Sequence, residues 1–255
     1  ERLGVILEGS WFDQNWRNST LATLAVNPQI PGPYQDRTTF TPLLTFAITP
    51  HLRISGGVSI AELKPLESFV VSRESSMANT AIGSLGYSLR HKDTSGPRHD
   101  LEAAFTVRSG TKALQSNLFY TRSLGQAEYS YQAGSHHVLV SGMAGVINGN
   151  APLFERFSLG DVRTLRGWDK YDISPTGGDQ MAYASVEYRY GVLALFLDSG
   201  SVWDKGTERR FRVSTGVGLQ AGPFFMTVGV PLNTDNLRAV FTIGLRFSGT
   251  NIKKY

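Results

Sequence analysis

The stretch that decides the fold is Phe154-Glu155-Arg156-Phe157-Ser158-Leu159-Gly160-Asp161-Val162-Arg163-Thr164-Leu165-Arg166-Gly167-Trp168. It lies in the interval 148–179, between two segments that alternate apolar and polar residues, 136–147 and 180–190. Working outward from it, the alternation continues in both directions. Strands are expected near 3–12, 38–48, 51–62, 78–91, 98–109, 115–133 and 136–147 before the interval. After it they are expected near 180–190, 192–203, 210–221, 223–231 and 237–247. No segment of about ten residues or more carries a helical period.

The alternation has a steady chemistry. Leu101, Ala103, Phe105 and Val107 share one face, and Glu102, Thr106 and Arg108 the other. Ala182, Ala184, Val186 and Tyr188 oppose Ser185, Glu187 and Arg189. A soluble sandwich shows the same period, so the connections must decide. Short ones (Thr49-Pro50, Gly134-Ser135, Gly191, Gly222) alternate with long ones near 13–37, 63–77 and 148–179. All the long ones follow odd-numbered strands. Outer-membrane barrels sort their connections this way, with short periplasmic turns and long external loops. A Greek-key sandwich has no reason to. Both termini then fall at the periplasmic end. Tyr129, Tyr131, Tyr188, Tyr190 and Trp203 lie toward strand ends, where an interfacial aromatic girdle belongs.

Composition agrees. The chain has 255 residues, 27 glycines, 11% aromatic and 18% charged residues, no cysteine, and a net charge of +4. Absence of cysteine removes disulfides and thiolate metal sites. Apolar runs reach about six residues, far below the ~18 of a spanning helix. The charge is dispersed, and no Lys/Arg run points to nucleic acid. Glu1 follows no Met or apolar leader, so the chain reads as a mature or excised segment.

Two motifs in the interval, Glu155-Arg156-Phe157-x-Leu159-Gly160 and Leu165-Arg166-Gly167-Trp168, resemble those of the bacterial surface antigen family. That family is the barrel of the outer-membrane insertase and two-partner-secretion transporter superfamily (BamA-, TamA- and FhaC-like). Its long external loop carries a Val/Leu-Arg-Gly-aromatic tip and folds into the barrel. Its Phe-x-Asp-x-Gly pattern, on the second strand after the loop, is matched by Phe196, Asp198 and Gly200. The resemblance implies an ion pair between Arg166 and Asp198, with Gly167 and Gly200 permitting close backbone approach. The final segment, with Phe241, Ile243, Leu245 and Phe247 alternating, resembles the family's terminal targeting strand; 248–255 is a tail beyond it. The family barrel usually has about sixteen strands, about eleven before the loop, preceded by periplasmic POTRA modules. Here about seven precede it, so this looks like a shortened member without those modules.

The expectation is an all-β chain: residues 1–247 form one closed antiparallel transmembrane β-barrel of about twelve strands, its long extracellular loop folded into the lumen. The resemblance implies assistance in insertion or translocation of proteins or lipids at a Gram-negative outer membrane. Its partners are then outer-membrane lipids and a client polypeptide. One alternative is a structural or anchoring barrel that forms a homo-oligomer. The other is an outer-membrane hydrolase, which the residues do not favour. His51, His91 and His99 lie at short connections, and His136 and His137 face opposite sides of a strand. No spacing suggests a metal or a catalytic set, so the chain is expected not to be an enzyme and to need no cofactor. Asp169, Asp172 and Asp179 match no calcium motif. Gly216-x-Gly218 lies inside a strand and reads as room or a kink rather than a dinucleotide loop.

Overall fold

A computed structural model describes residues 2–67, 75–92, 96–234 and 238–245. Each apolar–polar alternating run forms a strand: β1 Leu3–Asp13, β2 Tyr34–Ala47, β3 Leu52–Pro65, β4 Ser76–Met77, β5 Thr80–Lys92, β6 Arg98–Gly110, β7 Tyr120–Ala133, β8 His136–Gly149, β9 Gln180–Tyr190, β10 Leu193–Trp203, β11 Arg212–Ala221, β12 Phe224–Pro231 and β13 Val240–Leu245. They make one 13-stranded antiparallel sheet, in which twelve strands follow chain order and β4 pairs only with β3. The two-residue β4 is the strand that twelve-strand counting omits. Among the described residues no pairing joins β1 to β13. Phe247 and 248–255 lie outside the described residues.

Consecutive pairing follows from the turns. Gly134, Gly191 and Gly222 each open a two-residue connection at φ near +57° or +58°. A positive first position suits the twist of a hairpin, and glycine adopts it without a Cβ clash. At Thr49 the side-chain oxygen accepts the backbone N–H groups of His51 and Leu52 instead.

The faces are inverted relative to a soluble sheet. On β10, Leu193, Leu195 and Leu197 are 50–58% exposed, while Phe196 is buried and Asp198 is 0% exposed. On β9, Val186 and Tyr188 are exposed, whereas Ser185 and Glu187 are buried. Leu3, Val5 and Leu7 on β1 and Phe241, Ile243 and Leu245 on β13 are exposed. A water-facing sheet buries its apolar set, because removing apolar area from water is the main favourable term. Such a continuous exposed apolar face fits contact with another apolar phase.

The buried apolar side chains lie where the long connections meet the polar face. One cluster joins Phe157, Leu159, Leu165 and Ile173 of the connection 150–179 to Tyr120, Ile147, Met181, Tyr183 and Val202. A second joins Leu24 to Tyr34, Ala61, Leu63, Ala78 and Leu153. Leu24 belongs to helix α1, Asn18–Val26, in the first long connection. This nine-residue helix falls below the length at which a helical period shows. It buries only Thr20 and Leu24, one turn apart, so docking rather than propensity holds it. The second helix, α2, is a single turn at Lys170–Ile173.

Candidate functional site: a pinned loop on the polar sheet face

The connection 150–179 is fixed at three places. At its entrance, Glu155 (4% exposed) pairs with Arg108 of β6 at 2.6 Å and lies 3.6 Å from Arg122 of β7. Arg122 Nε also donates to the Glu155 carbonyl, and its guanidinium lies over the Phe157 ring. Phe157 pairs with Gly178 as an isolated bridge, bringing entrance and exit together. Its ring sits where a Cβ on Gly145 would be, so that β8 position has room only for hydrogen. Arg156 donates to the carbonyls of Thr176 and Gly177 and pairs with Asp204.

At the tip, Gly160 and Asp161 donate backbone N–H groups to the Thr164 carbonyl. Asp161 Oδ1 accepts from Arg163 N, Thr164 N and Thr164 Oγ1. This turn presents Leu165, fully buried at φ +50°, and then Arg166.

Arg166 is the third anchor. Its Nε and Nη2 donate to the two oxygens of Asp198 at 3.0 and 2.9 Å, a bidentate fork. Its backbone N–H donates to Asp198 Oδ2 at 2.9 Å. Nη1 donates to Glu187, Nη2 reaches Ser185 Oγ at 3.3 Å, and Ser185 Oγ donates to Asp198 Oδ1 at 2.6 Å. The guanidinium carbon lies 3.7 Å from the Phe196 ring centroid. Burial opposes the charged guanidinium, but the hydrogen bonds and charge of Asp198, with those of Glu187, outweigh it and raise its pKa above the ordinary value. Glu187 is held in turn by Arg189.

Gly167 (φ +104°) lies against β12: a Cβ there would stand 3.0 Å from Gly229 C and Val230 N. Trp168 Nε1 donates to the Val213 carbonyl. Gly200 leaves room for Leu159, and Gly216 for the Phe196 ring.

The structure thus brings together Glu155, Arg156, Phe157, Leu159, Gly160, Leu165, Arg166, Gly167 and Trp168 with Phe196, Asp198 and Gly200. Phe241, Ile243 and Leu245 are apart from them, on one exposed face of β13. Asp169 caps α2 and pairs with Arg17, away from Asp179. Among the described residues no group of three or more His, Asp or Glu is placed to hold a metal.

Ser185, Glu187, Arg108 and Arg122 complete the anchors and were not singled out from sequence. Register supplies the missing signal: Ser185 stands opposite Asp198 and Glu187 opposite Phe196. Below the tip, a cavity of about 580 Å³ runs toward the Thr49–His51 turn, lined in part by Arg53, Gln126, Ser141, Arg163 and Tyr183.

An antiparallel meander with an apolar outer face and a loop salt-bridged to its polar face defines an outer-membrane-type sheet. Residues 8–247 match the Omp85 superfamily domain, and the chain belongs to that superfamily. Over 98 residues it is 34% identical to the outer membrane protein assembly factor BamA of Nitratidesulfovibrio vulgaris, covering 31% of this chain and 12% of that protein. The fold is similar to BamA from Haemophilus ducreyi lacking POTRA domains 1-3 (TM-score 0.65, 15% identity, 94% of this chain and 59% of that one). It is also similar to CdiB from Escherichia coli (TM-score 0.57, 18% identity, 82% and 44%). The chain therefore spans less than two thirds of each of these relatives.

Proposed function

We propose that this chain is a closed transmembrane barrel of a Gram-negative outer membrane, with 150–179 inside its lumen, and that it assists insertion or translocation of polypeptides. Both termini face the periplasm, with the short turns, and residues 1–247 form one unit. The barrel performs no covalent chemistry. Its partners are membrane lipids and a client chain.

The observation that carries the reading is the span of the loop. Phe154 meets Tyr34 and Arg37 of β2, and Gly167 meets β12. These are the second and the second-to-last strands of the path, nine steps apart. Laid flat, nine steps of ~4.8 Å measure about 43 Å. The segment between Phe154 and Gly167 is turned rather than extended, so a sheet curled around it supports closure. Closure would also spare the edges of β1 and β13, since unpaired backbone groups in hydrocarbon cost several kcal/mol each.

The exposed apolar face supports the membrane setting, and membership of the superfamily supports the activity. Depleting the protein and measuring folded outer-membrane proteins and secreted polypeptides tests it. A fall in either is expected. Normal levels of both would leave the anchoring barrel as the better reading. Cysteine pairs scanned across Leu3–Leu7 and Phe241–Leu245 separate the two further: an oxidised seam should block a transporter and leave an anchor unaffected.

A further inference from the structure

The connection between β10 and β11 places a cation on the outer face of the sheet. The Thr207 N–H and Oγ1 both donate to the Asp204 carbonyl, and Gly206 takes φ +85°, so the chain turns back at once. The returning Arg209 lies over the Trp203 ring, its guanidinium carbon 4.9 Å from the centroid. Trp203 alternates in step with Leu193, Leu195 and Leu197, the exposed leucines of β10. Arg209 therefore stands on the outer rim at the long-connection end, two residues from the exposed Phe211.

Its charge is not spent within the protein. Asp204 pairs with Arg156, and Glu208 accepts from Arg210. Among the described residues no carboxylate pairs with Arg209. Neutral donors stand beside it. Trp16 and Trp168 donate their indole N–H groups to backbone carbonyls, whereas that of Trp203 meets no acceptor among the described residues. Gln180 of β9 lies directly opposite Trp203 and adds a side-chain amide. From this rim toward the short turns, the outer face of β9–β12 passes Leu197, Leu195 and Val217, all at least half exposed, and carries no charged residue. On β3, by contrast, the outer face carries Glu62 beside Lys64. An anion with apolar tails therefore finds at β10–β11 a cation without a competing carboxylate, and an apolar wall directly next to it.

We propose that Arg209, with Trp203 and Gln180, docks the phosphate of an anionic lipid whose acyl chains lie along Leu197, Leu195 and Val217. The inference rests on the reading that the exposed apolar face meets lipid. It singles out one position on the rim as a headgroup seat, and it puts that seat in the leaflet at the long-connection end.

The test is native mass spectrometry of the purified protein released from detergent carrying phosphatidylglycerol, diacylglycerol of the same chains, or glycerol phosphate. Wild type should retain phosphatidylglycerol about tenfold better than diacylglycerol, the worth of roughly one charge-assisted hydrogen bond. Glycerol phosphate, a headgroup without tails, should not be retained. R209Q should lose the preference, and R209K, which keeps the charge, should keep most of it. R210Q removes the same charge from the neighbouring residue that pairs with Glu208, and it should leave the preference intact. Equal retention of the two lipids by wild type, or an undiminished preference in R209Q, overturns the proposal. So does an equal fall in R209Q and R210Q, which would mark diffuse charge rather than a seat, and so does retention of glycerol phosphate as strong as that of the lipid. Flotation of wild type with phosphatidylcholine vesicles tests the underlying reading. Protein that fails to float overturns both, whereas floating protein without headgroup preference overturns only the phosphate seat.

Discussion

Asp198 accepts hydrogen bonds from both the guanidinium and the backbone N–H of Arg166. One carboxylate thereby fixes the direction of the main chain at the loop tip as well as its side chain. Asp198 is fully buried and Arg166 nearly so, and removing one member leaves an uncompensated charge. D198A should lower stability by about 3–5 kcal/mol. A cycle of D198A, R166A and the double variant, read by heat-modifiable mobility, should show coupling of about 1 kcal/mol or more. Strict additivity would contradict the pairing. D198N, which keeps an acceptor for the Arg166 N–H, should cost less than D198A.

Gly229 on β12 is reserved for the loop. A Cβ there would lie 2.7 Å from Gly167 N and 2.8 Å from Arg166 C, both backbone. G229A should destabilise by about 1–3 kcal/mol through overpacking and should open the tip to limited proteolysis. G218A meets its nearest atom, the flexible Thr227 methyl, at 3.3 Å. It should behave nearly as wild type in both measurements.

The exposed leucines of β10 provide a depth ruler. Leu197 lies near the middle of the strand and Leu193 at its short-turn end. On a lipid face, L197R should cost about 2–4 kcal/mol and L193R about 0–1 kcal/mol. Folding titrations into vesicles would measure both. Equal, negligible costs would place this face in water.

The entrance anchor is graded by burial. E155Q removes the carboxylate that separates Arg108 from a largely buried Arg122, and should cost about 1–3 kcal/mol. D204N removes the partner of Arg156, but Asp204 is 41% exposed and two carbonyls still hold Arg156. Its cost should stay below about 1 kcal/mol. Thermal unfolding of both variants tests the ranking.

Most of the sheet could be read directly, because side-chain period and turn glycines are local signals. The twelve strands of the main path all follow runs of alternation. β4 was not legible, because two residues cannot display a period. Helix α1 was not legible either, because its order comes from contacts with Tyr34 and Pro175 rather than from its own sequence. Pairing of Arg166 with Asp198 was suggested only through family resemblance. The residues are 32 apart, and no periodicity links a loop to a strand. The roles of Glu187 and Ser185 needed register, which only pairing of β9 with β10 supplies. The histidines at the short turns stand apart from any aromatic partner along the sequence. Their tyrosine neighbours lie on adjacent strands, and that proximity is invisible along the chain.

The loop connects two adjacent strands, β8 and β9, yet its tip rests on β12, and that seat does not exist until β11 and β12 have paired. Seating of Gly167 therefore depends on contacts distant in sequence, which form late in a sheet that pairs along the chain. A chain that stalls before its last hairpins still has the partners of Glu155, Arg156 and Arg166 but lacks the seats of Gly167 and Trp168. A fully seated tip is thus the mark of a sheet that has been carried through to its penultimate strand.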